Sequence, residues 1–291
     1  MKNRSIFITA LTYVLWGLLP LYWQLLSHVP SVFTLCCRIV FSLIFTMAAI
    51  LLTRRMGEFK ALLRDRPTVL KMAAASLFIT INWGMYIYAV SSGHTLDASL
   101  GYYMNPLVVF AMGAIVFKEK LSKLQLSAIF IAAAGVVITL IICGSIPVIS
   151  LILALSFAAY GTVKKFAHIP PLLSIAIETI ISAPFALIAM LAFFGDTISA
   201  LSVSDTVLLV LAGPVTAIPL ILFAIGVNDL DFKTLGFIQY ISPTLTMIVG
   251  LLGGEALTLE KVIPFAAVML ALIVYSIGLF KKDTPAQSKA E

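Results

Sequence analysis

The sequence predicts an all-α polytopic membrane protein of ten transmembrane helices, arranged as two inverted-topology five-helix repeats. Three observations support that expectation. The chain of 291 residues is 61% hydrophobic and only 11% charged, with a mean hydropathy of +1.10, whereas soluble domains have roughly 25% charged residues. Its apolar residues fall into runs close to the ~20 residues that a membrane-crossing helix needs. Its two halves match one another in collinear order.

The ten runs are 5–26, 31–52, 68–92, 98–117, 124–142, 148–163, 172–194, 206–227, 234–252 and 262–280. The first follows Met1-Lys2-Asn3-Arg4; it is too long for a signal peptide and lacks a small-residue cleavage site, so it reads as a retained helix. The second holds Arg38 in "CRIVFS", the third "NWGMYIYAV", the fourth "GYYMNPL". The fifth has no charge, the sixth contains "LSFAAYG", and the seventh holds Glu178 in "IAIETIIS". The eighth contains "AGPVTAIPL", the ninth "IQYISPTL", and the tenth precedes a short polar tail at 283–291. Pro106, Pro184, Pro214, Pro219 and Pro243 are expected to interrupt their helices, either as kinks that shape packing or as hinges. Gly250 and Gly254 form a small-xxx-small pair suited to close helix contact or dimerisation.

With ten crossings, the charges sort by side. Of the 19 Lys and Arg residues, only Lys261 falls on the side opposite the N-terminus, and Arg38 lies within a span. The positive-inside rule then puts both termini in the cytoplasm of a multi-pass inner-membrane protein. The formal charge of +6 reports topology and not nucleic-acid binding. Cys36, Cys37 and Cys143 give no disulfide framework, and His28, His94 and His168 occupy separate loops. No metal motif, nucleotide-binding loop or nucleophile–base arrangement appears, so the expected cofactor is none and an enzyme is disfavoured.

The internal duplication pairs "LTYVLWG" at 11–17 with "LSFAAYG" at 155–161, and "AVSSGHTLDASLGYY" at 89–103 with "AIGVNDLDFKTLGFI" at 224–238. Pro106 and Pro243 then mark the fourth helix of each half, and Glu119 and Glu255 end it. The repeats are 1–145 and 146–282. Five helices per half is an odd number, so the second copy enters the membrane from the opposite face, the arrangement that places transporter sites between halves. Glu119 and Glu255 are expected to cap the helix that follows each of them.

The residues "LTYVLWG", "CRIVFS", "NWGMYIYAV", "ASLGYYMNPL", "SFAAYG", "IET" and "TLGFIQYISPTL" resemble the RarD branch of the EamA-type drug/metabolite transporter superfamily, over essentially the whole chain. The resemblance implies a ten-helix permease in a bacterial inner membrane, working as an exporter. Two positions depart from the family pattern: Cys37 stands where His is frequent, and Lys118 where Gly is frequent.

Arg38 and Glu178 are the charges deep within spans, and each comes seven residues after its helix start, at Ser31 and Pro171. Lone charges cost about 2.5–3.5 kcal/mol on insertion scales and usually face the bundle interior and pair. The two are therefore expected to share a central cavity and to interact directly, through water or through substrate. Arg38 would hold an anionic group while Glu178 holds an amine; alternatively Glu178 takes up a proton and releases Arg38 to the substrate. Asn82, Trp83 and Tyr86, Tyr102 and Asn105, and Gln239 and Tyr240 are candidate lining residues, with interhelical hydrogen bonding as the other reading of the amides. Trp16 and Tyr160 hold equivalent repeat positions and form a paired cavity wall or ordinary packing. Tyr22 and Trp23 read as an interfacial aromatic belt.

The functional expectation is a secondary active transporter of small metabolites or drug-like compounds, embedded in membrane lipid as a monomer or homodimer, with protons as the candidate coupling ion. The alternative is a membrane sensor or assembly subunit that binds a small ligand without moving it.

Overall fold

The computed structural model describes residues 2–116, 118, 123–167, 169–227 and 238–281. Every regular element among them is a helix: α1 Lys2–Gln24, α2 Ser31–Leu52, α3 Met56–Arg64, α4 Arg66–Ser91, α5 Thr95–Val116, α6 Lys123–Cys143, α7 Val148–Ala167, α8 Pro171–Phe193, α9 Gly195–Ala200, α10 Val203–Val227, α11 Ile241–Leu252 and α12 Leu259–Lys281. Seven of these, α1, α2, α4, α6, α8, α10 and α12, are long and apolar enough to cross a membrane, and Val148–Lys164 and Ile241–Leu252 are shorter apolar helices. Among the described residues each predicted run overlaps one helix, the ninth only over 241–252, while the short connectors α3 and α9 were not foreseen. Glu119, His168, the start of the ninth run at 234–237 and the tail at 283–291 lie outside the described residues.

Helices are the expected solution, because in lipid each backbone donor and acceptor must be satisfied within its own segment. The expectation that the prolines interrupt their helices is corrected at each position. α5, α8 and α10 run continuously through Pro106, Pro184 and through Pro214 and Pro219. Pro243 interrupts nothing: it is the third residue of α11, in the first turn, where a missing N–H leaves no helical bond unmade. At the other kind of boundary, the Asp65 carboxylate accepts from the Thr68 amide at 3.1 Å and starts α4 in water.

Two ends of the bundle can be told apart by charge. A basic end has the loop and α3 region with Arg55, Lys60, Arg64, Arg66 and Lys71; an acidic end has Asp97, Asp205 and Glu255. α2 and α8 run antiparallel between them. Phe33 meets Phe194 at the acidic end, with ring centroids 5.6 Å apart, and Ile50 packs with Leu173, Ala176 and Ile177 at the basic end. Buried clusters close both ends: Trp23, Leu26, Val29, Phe33 and Leu209 at the acidic one, Ile50, Phe59, Met72 and Ile177 at the basic one.

Contacts between helices follow a pattern. α2 packs on α8, α6 on α12 and α5 on α11; α7 packs on α4 and α5, and α1 on α10 and α11; α2 also meets α10, and α4 meets α8. Small residues set the closest approaches. A Cβ on Gly213 of α10 would sit 2.4 Å from the Phe41 carbonyl oxygen of α2, so only glycine lets these two backbones meet. Gly250 faces Thr95 and Leu96 of α5 inside the molecule, which assigns this half of the small-residue pair to intramolecular packing.

Candidate functional site

Arg38 is 5% exposed and has no carboxylate in ion-pairing reach among the described residues. Its guanidinium lies between two indoles, 4.1 Å from the Trp83 ring centroid and 5.1 Å from that of Trp23. Such contacts stabilise a cation by about 0.5–2 kcal/mol, more as water is excluded. Nε donates to Thr216 Oγ1 at 3.0 Å, and the Thr216 hydroxyl in turn donates to Ala212 O at 2.8 Å. The Gly213 contact explains why Thr216, three residues on, reaches Arg38 at all. Nη1 is buried with no partner, and so is Trp23 Nε1. Tyr22, Tyr86 and Tyr102 are its electrostatic neighbours.

Glu178 is 1% exposed and differently served. Its Oε1 accepts from Lys164 Nζ at 2.8 Å and from Ser174 Oγ at 2.6 Å, and Tyr160 OH donates to Oε2 at 3.2 Å. Lys164 also donates to Ser174 Oγ and lies 5.2 Å from the Tyr160 ring centroid. Two helical spacings build this cluster: Tyr160 and Lys164 share one face of α7 at i, i+4, and Ser174 and Glu178 share one face of α8. Ser76 Oγ of α4 donates to the Glu178 carbonyl at 2.8 Å, tying a third helix to the same turn.

Of the expected ways for Arg38 and Glu178 to interact, directly, through water or through substrate, the antiparallel packing removes the direct one in this structure. No hydrogen bond or ion pair joins them. Phe33 opposes Phe194 and Ile50 opposes Ile177, so the level of Arg38 on α8 is about eleven residues from Glu178, or roughly 16 Å along the axis at 1.5 Å per residue. Equal depth from the helix start puts residues of inverted helices at opposite ends, not side by side. Arg38 belongs to the acidic half and Glu178 to the basic half.

The remaining predicted residues divide. Trp83, Tyr86 and Tyr102 surround Arg38, and the Tyr86 and Tyr102 rings meet at 5.4 Å. Tyr160 belongs to the Glu178 cluster. Asn82 is an interhelical tie, its Nδ2 donating to Leu153 O at 2.9 Å and Ser156 Oγ at 3.1 Å. Trp16 packs with Tyr13 and Phe223 at 5.2 and 5.6 Å, away from Tyr160. Tyr240 stacks on Tyr103 at 6.1 Å with its hydroxyl buried and unpartnered, as is Asn105 Oδ1, and Gln239 sits half-buried in the turn before α11. Two grooves of about 360 and 330 Å3, between α2, α4 and α8 and between α1 and α11, are lined by none of these residues.

Trp23, Thr216, Lys164 and Ser174 were missed. Trp23 is 1% exposed and stacks on Arg38, which overturns the aromatic-belt reading: a belt indole faces headgroups. Tyr22 leaves that belt as well, donating its hydroxyl to Leu208 O. Lys164 was counted among the loop charges of the basic side, yet it lies within α7. Glu255 does cap a helix, but not the next one: its carboxylate accepts from the Thr95 amide at 2.6 Å and the Leu96 amide at 2.9 Å, at the start of α5, with Lys261 3.4 Å away.

Comparison with known proteins agrees with this architecture. Residues 3–141 match the model of the EamA-like transporter family. The chain is 40% identical to the transporter YojE of Bacillus subtilis, covering 96% of this chain and 95% of that protein. It is 38% identical to Protein RarD of Streptomyces exfoliatus (96% and 90% covered) and 33% identical to Protein RarD of Escherichia coli (94% of each). One solved crystal structure of a protein superposes with a TM-score of 0.62 at 18% identity, covering 98% of this chain and all of its own, and shares the fold. Identities of 33–40% over nearly the full length of these relatives, with the EamA-like family match, make this chain a member of the RarD-like branch of the EamA-type drug/metabolite transporter superfamily.

Proposed function

We propose that the chain is a secondary active transporter of small metabolites or drug-like compounds, working by alternating access between two inverted five-helix repeats, 1–145 and 146–282. The observation that supports this most is the symmetry of helix contacts. Exchange α1, α2, α4, α5 and α6 for α7, α8, α10, α11 and α12 in order. The pairs α2–α8, α5–α11 and α6–α12 map onto themselves, α4–α7 maps onto α1–α10, α5–α7 onto α1–α11, and α2–α10 onto α4–α8. Such exchange is what a pseudo-two-fold axis in the membrane plane produces, and it gives two equivalent half-channels that open in turn. On this reading the chain crosses the bacterial inner membrane ten times with both termini cytoplasmic, the basic end inside and the acidic end outside, and works in export.

Both ends are packed shut around a buried charge, as an intermediate between two open states would be. Arg38 serves the outer half-channel and Glu178 the inner one. Opening the basic end separates α7 from α8 and removes Lys164 from Glu178, which makes Glu178 the candidate carrier of a coupling proton. Trp83, Tyr86 and Tyr102 line the outer half-channel beside Arg38 and Tyr160 the inner one beside Glu178, with Asn82 holding α4 to α7; Trp16, Asn105, Gln239 and Tyr240 are further candidate lining residues.

The test is flux in proteoliposomes of a labelled panel of amino acids, organic anions and amphipathic drugs, with and without an imposed pH gradient. Gradient-driven flux that Glu178→Gln abolishes is the expected result. Specific binding without flux for any compound would instead favour a sensor or assembly subunit.

A further inference from the structure

Arg38 and Glu178 are both buried charges, but only one has its counter-ion. Lys164 neutralises Glu178, and Ser174 and Tyr160 complete its hydrogen bonding. Arg38 has one neutral acceptor, Thr216 Oγ1, on Nε. A fully buried guanidinium with no anion is the costly member of the pair, because an ion removed from water needs both opposite charge and filled hydrogen bonds.

What is missing around Arg38 has a definite chemistry. Arg38 Nη1 and Trp23 Nε1 are unmet donors, while Thr34 and Ser42, one turn to either side on α2, carry unmet hydroxyls that can donate or accept. The neighbouring Tyr22, Tyr86 and Tyr102 present hydroxyls and not carboxylates. Two indoles flank the guanidinium, their ring centroids 4.1 and 5.1 Å from Cζ, and the buried donor left without an acceptor is Nη1, so an acceptor is wanting at that edge. A flat acceptor with two oxygens fits there, since Arg presents parallel N–H donors to a carboxylate in one plane. An amine or a neutral donor does not.

We propose that Arg38 is the recognition site for a carboxylate group of the transported substrate, which accepts from Arg38 Nη1 beside Trp23 and Trp83. The substrate class is thus organic acids whose carboxylate completes the charge balance that the protein leaves open, with the apolar and aromatic surfaces of Tyr86 and Tyr102 facing the rest of the molecule. Thr216 is a positioning residue: it occupies Nε and leaves the Nη edge for the ligand. The assignment rests on the reading of Arg38 as a binding residue, and it holds for a ligand site whether or not flux follows.

The experiment is a titration of the purified full chain, read by tryptophan fluorescence, to which Trp16, Trp23 and Trp83 contribute and from which the Arg38 variants isolate the response at the site. The probes are acetate, hexanoate, octanoate, benzoate, phenylacetate and succinate, each beside its amide, with sodium chloride and inorganic phosphate as further anions. Saturable emission changes are expected for carboxylates and not for their amides, and Arg38→Gln should weaken that binding at least about tenfold, the usual scale for a charge-assisted pair. Arg38→Lys keeps the cation while losing the fork; it should bind, more weakly than the native protein, and it serves if the Gln variant does not yield folded protein. Three results would overturn the proposal: no saturable change for any carboxylate at millimolar concentration, equal response to amides, chloride or phosphate, or undiminished binding in both Arg38 variants. Counterflow of labelled probe in liposomes separates the two readings. Arg38-dependent binding without counterflow leaves the carboxylate site standing and removes the transporter; counterflow of other compounds unaffected by Arg38→Gln does the reverse.

Discussion

A buried ion pair and a buried lone ion respond in opposite ways to removal of a partner. Lys164→Met would leave the Glu178 carboxylate 1% exposed with only hydroxyl donors. Breaking a buried pair costs about 3–5 kcal/mol, less here because the Lys164 side chain is 22% exposed, so a loss of about 1–3 kcal/mol is expected. Lys164→Met combined with Glu178→Gln should recover most of that loss, since no charge is then left unpaired. Thermal melts of the two single variants and the double in one detergent give the coupling; strictly additive losses would show that the 2.8 Å contact contributes nothing. Glu255 is a second residue whose charge can be weighed. It serves two orphan amides at the start of α5, so Glu255→Gln keeps an acceptor and loses the interaction with the helix dipole, for about 0.5–1 kcal/mol, while Glu255→Ala removes both at about 1–2 kcal/mol. Equal melting points for the two variants would mean that hydrogen bonding alone sets the cap.

Helix contacts that depend on a missing side chain should fail on its return. Gly213→Ala places a methyl 2.4 Å from the Phe41 carbonyl, which must push α10 off α2 and draw Thr216 away from Arg38. Gly161→Ala meets nothing within 4 Å. The first should lower the yield of folded protein and any Arg38-dependent activity several-fold; the second should lie within about 0.5 kcal/mol of native in stability. Comparable behaviour of the two would deny that the α2–α10 approach matters. These glycines also show how much was legible beforehand. Each long run became a helix, because hydropathy reads the exchange of water for lipid directly, residue by residue. Which face meets which neighbour is a property of two helices at once, so neither Gly213 opposite Phe41 nor Trp23 over Arg38 could be read from one run. Lys164 escaped for a related reason: at a helix end a hydropathy window counts a lysine as loop, although its four-carbon stem lets the ammonium reach back along the helix. Glu255 was recognised as a cap, but chain order suggested the next helix, whereas packing delivered α5.

For the whole molecule the inverted arrangement makes claims about sidedness that can be checked without a substrate. In a background lacking Cys36, Cys37 and Cys143, single cysteines at the exposed positions Ser27 and Ser199 of the acidic end should react with an impermeant maleimide in intact cells. A cysteine at exposed Gly57 of the basic end should react only after permeabilisation. Uniform labelling of all three would break the proposed topology. The same inversion governs the two buried charges. If α2 and α8 are equivalent and antiparallel, Arg38 and Glu178 are counterparts held about 16 Å apart along the helix axis, each facing its own end, and no rigid rocking of two halves brings both to one point. Arg38→Glu together with Glu178→Arg should therefore be no better than the worse single variant: the new Glu would sit between Trp23 and Trp83 with no cation, and the new Arg would face Lys164. Groups that do not touch show coupling within roughly 0.3–0.5 kcal/mol. Recovery of binding or flux well above either single variant would require the two side chains to meet in another state of the cycle, and the separate half-sites would then have to be redrawn as one.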